Sequence, residues 1–185
     1  LGLKDFYLYT KAFGFGAKSG LGFYGESAGL LRPLDRFKPI DLAVGSYGHG
    51  IAATPLQVLN AYSALANGGR LYAPRLVEKV TESDGEEVFL NEPSVIRQAI
   101  SPETSERVKK ILRAVVEKGT GKPAAVPGYS IAGKTGTSKK IDPKTGKYLT
   151  GKNVSSFAGF FPVADPKYTI LVVIDKPKGR TYGGE

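Results

Sequence analysis

A chain of 185 residues, 41% hydrophobic and 23% charged, has the composition of a globular protein with one sizeable core and excludes a disordered tail. With no cysteine and a single histidine it excludes disulfides, cysteine-rich zinc sites and histidine clusters. The net charge of +9 points toward anionic partners. No apolar run approaches the roughly 18 residues of a membrane span, and the amino end lacks the pattern of a signal peptide. Methionine is absent even at position 1, and the opening "LGLKDFYLYTKAF" reads as a helix already under way. The chain is therefore expected to be a piece of a longer protein.

Leu3 to Phe13 is predicted to be helical, followed by a glycine-punctuated loop over residues 14 to 31. "TPLQVLNAYSALANGG" predicts a helix with Thr54 as N-cap and Pro55 at the first turn, its apolar face carrying Leu56, Leu59, Tyr62, Leu65 and Ala66. Residues 75 to 98 are expected to hold a hairpin, whose arms run from Arg75 to Leu90 about a Ser-Asp-Gly turn. A helix capped by Ser101 should run from Pro102 to Lys118 and bury Val108, Ile111, Leu112, Val115 and Val116. Three strands follow, Tyr129 to Thr137, Ser155 to Pro162 and Tyr168 to Asp175, joined by a lysine-bearing loop (138 to 153) and the turn "VADPK". The short second link implies an antiparallel meander. The fold expected is α/β of the α+β type, with a central antiparallel sheet flanked by helices.

Within the first strand, "YSIAGKTGTSKK" places Lys134 among Gly133, Thr135, Gly136 and Thr137, with bare backbone and hydroxyls around one ammonium. That combination suits close approach of another molecule's backbone and of a carboxylate or phosphate. Gly128 to Thr135 satisfies the phosphate-loop pattern G-x-x-x-x-G-K-[ST], but that chemistry needs a buried strand before the first glycine and a helix opening at the lysine. Here a proline-bearing connector precedes it, and Gly136, Pro143 and Gly146 follow it. The other reading keeps Lys134 on a strand bordering a cleft, with Ile131 and Tyr129 directed inward and Lys134 facing opposite to Thr135.

"KTGT" followed by "FAGFFPVADPKYTILVVID" resembles the Lys-Thr-Gly box of penicillin-binding transpeptidases and the strands after it. "GFGAKSGLGFYGESAGLL", "SYGHGIAATPLQVLNAYSALANGGRLYAPRLVEKV" and "EKGTGKPAAVPGYSIAGKTGT" are similar, in the same order, to stretches of the class B, monofunctional enzymes of division and elongation. The resemblance covers essentially the whole chain. It implies a serine D,D-transpeptidase that cross-links peptidoglycan stem peptides ending in D-Ala-D-Ala and is acylated by β-lactams. It also implies no cofactor or metal, a place on the outer face of the cytoplasmic membrane of a bacterial cell envelope, and a lipid-linked glycosyltransferase as partner. Lys134 would serve catalysis through the proton network of the second motif and, with Thr135, would meet the substrate carboxylate; Gly136 would let the substrate backbone lie along the strand, and the Thr137 main-chain N–H would serve the oxyanion hole.

The family pattern needs three motifs, and this chain holds one. None of its twelve serines is followed by lysine at the third position, and Ser-x-Asn does not occur. The resemblance therefore implies the carboxy-terminal part of one transpeptidase domain, spanning 1–185 and truncated at both ends, inactive alone and of low stability or prone to self-association. A module that holds D-Ala-D-Ala peptides without a nucleophile is the non-enzymatic alternative. The late positive charges, Lys139, Lys140, Lys144, Lys147, Lys152, Lys167, Lys176, Lys178 and Arg180, lack interleaved aromatics, so nucleic acid is not an expected partner. His49 is expected in a packed turn, Glu26, Asp41 and Asp142 as solvated charges, and Tyr182 to Gly184 has no assigned role.

Overall fold

The computed structural model describes residues 2–142, 144–145, 147–179 and 181–184. Pro143, Gly146 and Arg180, which entered the sequence reading, lie outside the described residues. The helices are α1 (Leu3–Ala12), α2 (Pro39–Gly45), α3 (Pro55–Ala66) and α4 (Pro102–Lys118). The strands are β1 (Arg70–Tyr72), β2 (Lys79–Thr81), β3 (Glu87–Leu90), β4 (Val95–Gln98), β5 (Ala132–Ile141), β6 (Tyr148–Phe161) and β7 (Tyr168–Asp175). The expected combination of helices with an antiparallel sheet is what the chain forms: β5, β6 and β7 make a three-stranded meander in that order.

Both long helices start as their sequences dictate. The Thr54 hydroxyl accepts from the Gln57 N–H at 3.1 Å while the Gln57 side-chain oxygen accepts from the Thr54 N–H at 2.9 Å, a reciprocal cap at the start of α3. Gln57 is buried, and its amide nitrogen donates to the carbonyls of Ala17 (2.7 Å) and Ala28 (2.9 Å), fastening the glycine-rich loop to α3. Ser101 caps α4 by accepting from the Thr104 N–H.

The core forms where α3 and α4 meet one face of the sheet. Ala132 of β5 and Phe160 of β6, both 0% exposed, pack with Ala66, Leu112 and Val163, and Tyr62, Leu65 and Val108 close around them. Burial pushes the Tyr62 phenol up to about 12, so it stays neutral and acts as packing. In α3 the buried positions are Gln57 and the three alanines Ala61, Ala64 and Ala66, whose small side chains let the helix approach closely.

α4 has the predicted ends but a rotated face. Its buried line runs Ser105, Lys109, Leu112, Val116, whereas Ile111, expected inside, is 63% exposed. The polar members have specific partners: the Ser105 hydroxyl donates at 2.6 Å to the Leu65 carbonyl in the last turn of α3, and the Lys109 ammonium meets Glu106 at 2.6 Å.

Three further expectations are corrected. The residues expected as a loop from 138 to 153 are largely a paired ribbon, since β5 runs to Ile141 and β6 begins at Tyr148, with a register shift between Lys139 and Ile141. Main-chain pairing tolerates the lysines because their ammoniums remain in water on an edge. Lys140 is fixed there by Asp175 at 2.7 Å, and its ammonium holds the Asp175 carboxyl below the ordinary range. The hairpin expected between Arg75 and Leu90 forms as β2 paired with β3, but the rest of the 75–98 region is not part of it, since β4 pairs with β1. Asn91, Glu92 and Pro93 break the run, and the Gly69 carbonyl accepts from the Ala99 N–H at 2.7 Å, which brings the end of β4 beside β1. Tyr129, expected inward, is 62% exposed and sets its ring edge against Phe161 on the sheet's outer face. The same face carries exposed Ile170, Val172 and Ile174. α2 has no counterpart in the sequence reading. It spans seven residues, too few for periodicity, and begins at Pro39 with the Asp41 carboxylate accepting from the Lys38 N–H at 2.7 Å.

Candidate active site

β5 lies at one edge of the sheet, and its register with β6 is unbroken from Ala132 to Lys139. Alternation along the strand sends Ala132 into the core beneath α4 and carries Lys134 to the same side, beyond the cover of the helix. Lys134 is exposed and lines a groove of about 550 Å³ between the sheet, which contributes Val154 and Ser156 of β6 and Leu171 and Val173 of β7 beside β5, and the segment that leads into α3. Tyr47, Ile51 and Pro55 form the opposing wall, and the hydroxyl residues Ser46, Thr137 and Ser156 also line it. Lys134 is the charged group of this lining, so the groove presents one cation among hydroxyls.

The ammonium of Lys134 donates to the Thr135 carbonyl at 3.0 Å and to the Thr135 hydroxyl at 3.3 Å. The Thr135 hydroxyl donates in turn to the Thr120 hydroxyl at 3.1 Å. The Thr137 hydroxyl accepts from the Gly183 N–H at 2.9 Å. The two threonine side chains are thus held from behind by Thr120 and Gly183. Sequence reasoning assigned neither residue a role. The signal was faint: Thr120 lies inside the quoted "EKGTGK" stretch, and "YGG" 182–184 was set aside.

An acceptor of the Lys134 ammonium at Thr135 points that residue's main-chain groups toward the open edge of β5. In an antiparallel pair the outward-facing residues alternate, so the Thr137 N–H faces the same edge. At Gly136 the geometry supplies a reason for glycine that differs from the expected one: a Cβ there would come within 2.6 Å of the Ser156 hydroxyl oxygen, so packing inside the sheet already restricts the position.

Gly128 stands in a turn, and Lys134 is the third residue of a strand; no helix opens at the lysine, and the phosphate-loop reading fails on that. His49 lies in the turn after α2, its N–H donating to the Val44 carbonyl and its ring edge-on to Tyr47 with centroids 5.2 Å apart. Among the described residues no group of three His, Asp or Glu side chains could hold a metal, and no helix is long and apolar enough to cross a membrane. Two serines of the groove are engaged elsewhere: the Ser46 hydroxyl donates to the Ala43 carbonyl at 2.7 Å, and that of Ser156 points to the Gly136 carbonyl at 3.5 Å. The groove can hold a carboxylate and an extended backbone. A second cavity, of about 420 Å³, lies on the outer face of the sheet among Ile131, Phe157 and Ile170 and is almost wholly apolar.

The chain matches the family model described as the penicillin-binding protein transpeptidase domain over residues 1–185. It is 41% identical over 189 residues to stage V sporulation protein D of Bacillus subtilis, covering 100% of this chain and 28% of that protein. It is 36% identical over 190 residues to penicillin-binding protein PbpB of Mycobacterium tuberculosis, covering 99% of this chain and again 28% of the relative. Among solved structures it is similar to penicillin-binding protein 3 of M. tuberculosis complexed with ampicillin, with a TM-score of 0.87 at 36% identity over 94% of this chain and 40% of that one. The D,D-transpeptidase domain of a peptidoglycan glycosyltransferase from Eggerthella lenta gives 0.82 at 30% identity, over 99% and 45%. The chain spans less than a third of the length of these two curated relatives. The family model covers the whole chain and these relatives and solved structures cover 94% or more of it, so the chain belongs to the penicillin-binding protein transpeptidase family.

Proposed function

We propose that this chain is the substrate-cradling part of a peptidoglycan D,D-transpeptidase. The observation that carries the reading is Lys134, held on the free edge of β5 by Thr135 and opening into the groove. Lys134 and Thr135 take the terminal carboxylate of a D-Ala-D-Ala stem peptide, and the Thr137 N–H takes the oxygen of the penultimate carbonyl. A serine hydroxyl supplied by the polypeptide outside these residues attacks that carbonyl. The peptide C–N bond breaks, the terminal D-Ala leaves with the proton from the serine, and an amine of a neighbouring stem peptide takes the acyl group and returns a proton to the serine. β-Lactams mimic the D-Ala-D-Ala end and are the second ligand class of the same cradle. Attachment to the cytoplasmic membrane, an outer-face location and a lipid-linked glycosyltransferase as partner belong to this proposal and are supported by family membership.

The test is labelling of the whole polypeptide with a fluorescent penicillin under denaturing electrophoresis. A covalent label competed by unlabelled ampicillin is expected. No label, where a control transpeptidase is marked in the same gel, would overturn the reading and favour a module that binds D-Ala-D-Ala peptides without acylation.

A further inference from the structure

Residues 181–184 cross the back of β5 and β6, on the face of the sheet opposite the Lys134 side chain. The Thr181 carbonyl accepts from the Ser155 hydroxyl at 2.7 Å and from the Asn153 side-chain amide at 3.4 Å, which fastens the segment to β6. Two residues on, the Gly183 N–H donates to the Thr137 hydroxyl at 2.9 Å. A Cβ at Gly183 would collide with the Gly136 carbonyl oxygen and stand 2.8 Å from the Ser156 carbonyl oxygen. The segment thus rests directly on the main chain of both strands, with no room for a side chain at this point.

The Gly136 carbonyl and the Thr137 N–H belong to one planar trans peptide unit and point to opposite sides of it. Gly136 pairs with Ser156, so its carbonyl faces into the sheet while the Thr137 N–H faces the open edge. Gly183 meets both ends of this unit: it packs on the carbonyl oxygen and holds the side chain of the residue that carries the N–H. Gly136 has no side chain of its own to resist a tilt, so the outside contact matters more here than along an ordinary strand. A tilt at the carbonyl swings the N–H by the same angle, and a donor to an oxyanion acts only when it is aimed, at about 2.7 to 3.1 Å, at the place where the charge develops.

We propose that Gly183 is a positioning residue for acyl transfer: packed on the Gly136 carbonyl and bonded to the Thr137 hydroxyl, it sets the tilt of the peptide unit whose N–H meets the oxyanion. The inference rests on the transpeptidase reading above. It makes the chemistry depend on a residue behind the strand that touches neither the substrate nor the groove.

The test uses the whole polypeptide and a penicillin isotope-labelled at the lactam carbonyl. Acylation opens the lactam C–N bond onto the serine oxygen, the ring nitrogen takes the hydroxyl proton, and the infrared stretch of the ester carbonyl that remains reports the donor it faces. In Gly183→Ala the acylation step at saturating penicillin should slow by about 10- to 100-fold, short of the roughly 100- to 1000-fold of losing a donor outright, while initial non-covalent binding changes by no more than about three-fold. The ester band should move to higher frequency. Thr137→Val, which leaves the Gly183 N–H without its acceptor, should move the band the same way, and Thr137→Ser, which keeps the acceptor, should leave it in place. An ester band unmoved in Gly183→Ala, or a rate loss carried wholly by initial binding, overturns the proposal while leaving the transpeptidase reading in place. Where Gly183→Ala does not fold, Thr137→Val decides by the same band. A wild type that takes no penicillin overturns both.

Discussion

Lys134→Ala in the whole polypeptide will lower the second-order rate of acylation by a penicillin about 100-fold, read as the rate at which covalent label accumulates. The estimate follows from losing one charge-assisted contact to a carboxylate, worth about 1.5 to 3 kcal/mol, at a site where the substrate charge has no other cation in the lining. Lys134→Arg should recover only part of the rate. A guanidinium is planar and longer, and the ammonium it replaces is placed by the Thr135 carbonyl at 3.0 Å and hydroxyl at 3.3 Å. An acylation rate within three-fold of wild type for Lys134→Ala would show that the carboxylate is held elsewhere.

The largest effect on stability is expected at Phe160. It is fully buried where α3, α4 and the sheet meet, so Phe160→Ala removes a ring from the centre of the core and leaves a cavity. The expected loss is about 3 to 5 kcal/mol, a large share of the roughly 5 to 15 kcal/mol that a domain has. Ile111→Ala is the contrast. Although this residue sits in the apolar pattern of α4, it faces solvent, and its truncation should change stability by no more than about 0.5 kcal/mol. Chemical denaturation of the whole polypeptide, followed at the transition of the transpeptidase unit, separates the two. Equal losses from both variants would mean that α4 is rotated from the orientation described.

That contrast also shows which part of the fold was legible in the sequence. The ends of α3 and α4 could be read because caps are local chemistry: Thr54 with Gln57, Ser101 with Thr104, and proline in each first turn. Apolar spacing reached Val108, Leu112 and Val116 on the buried face of α4, but it misplaced Ile111 and missed Ser105 and Lys109. The Ser105 hydroxyl is matched to the Leu65 carbonyl on another helix, a long-range partner that leaves no periodic trace, and the buried Lys109 is matched to Glu106 one turn away. The same holds for β4, whose pairing with β1 depends on contacts at Gly69 across thirty residues, and for the β5–β6 ribbon, where lysines mimic the composition of a loop.

At the candidate site the sequence carried the strand and its lysine, because Gly, Thr and Ser around one charge is an unusual local composition. It did not carry Thr120 and Gly183, which reach Thr135 and Thr137 from 15 and 46 residues away. Nor did it separate the two reasons for Gly136. Substrate approach is the reason expected from the resemblance, whereas the reason seen in the folded chain is the Ser156 hydroxyl oxygen, 2.6 Å from where a Cβ would stand.

The central claim is that the free edge of β5 receives a peptide's acidic terminus as an added strand. A crystal structure of the whole polypeptide acylated by a penicillin tests it most directly. The account predicts the acyl carbonyl oxygen about 2.7 to 3.1 Å from the Thr137 nitrogen, with the ligand carboxylate on Lys134 and Thr135. A ligand seated away from this edge, with another segment of the polypeptide paired along Thr135 to Lys139, would contradict it.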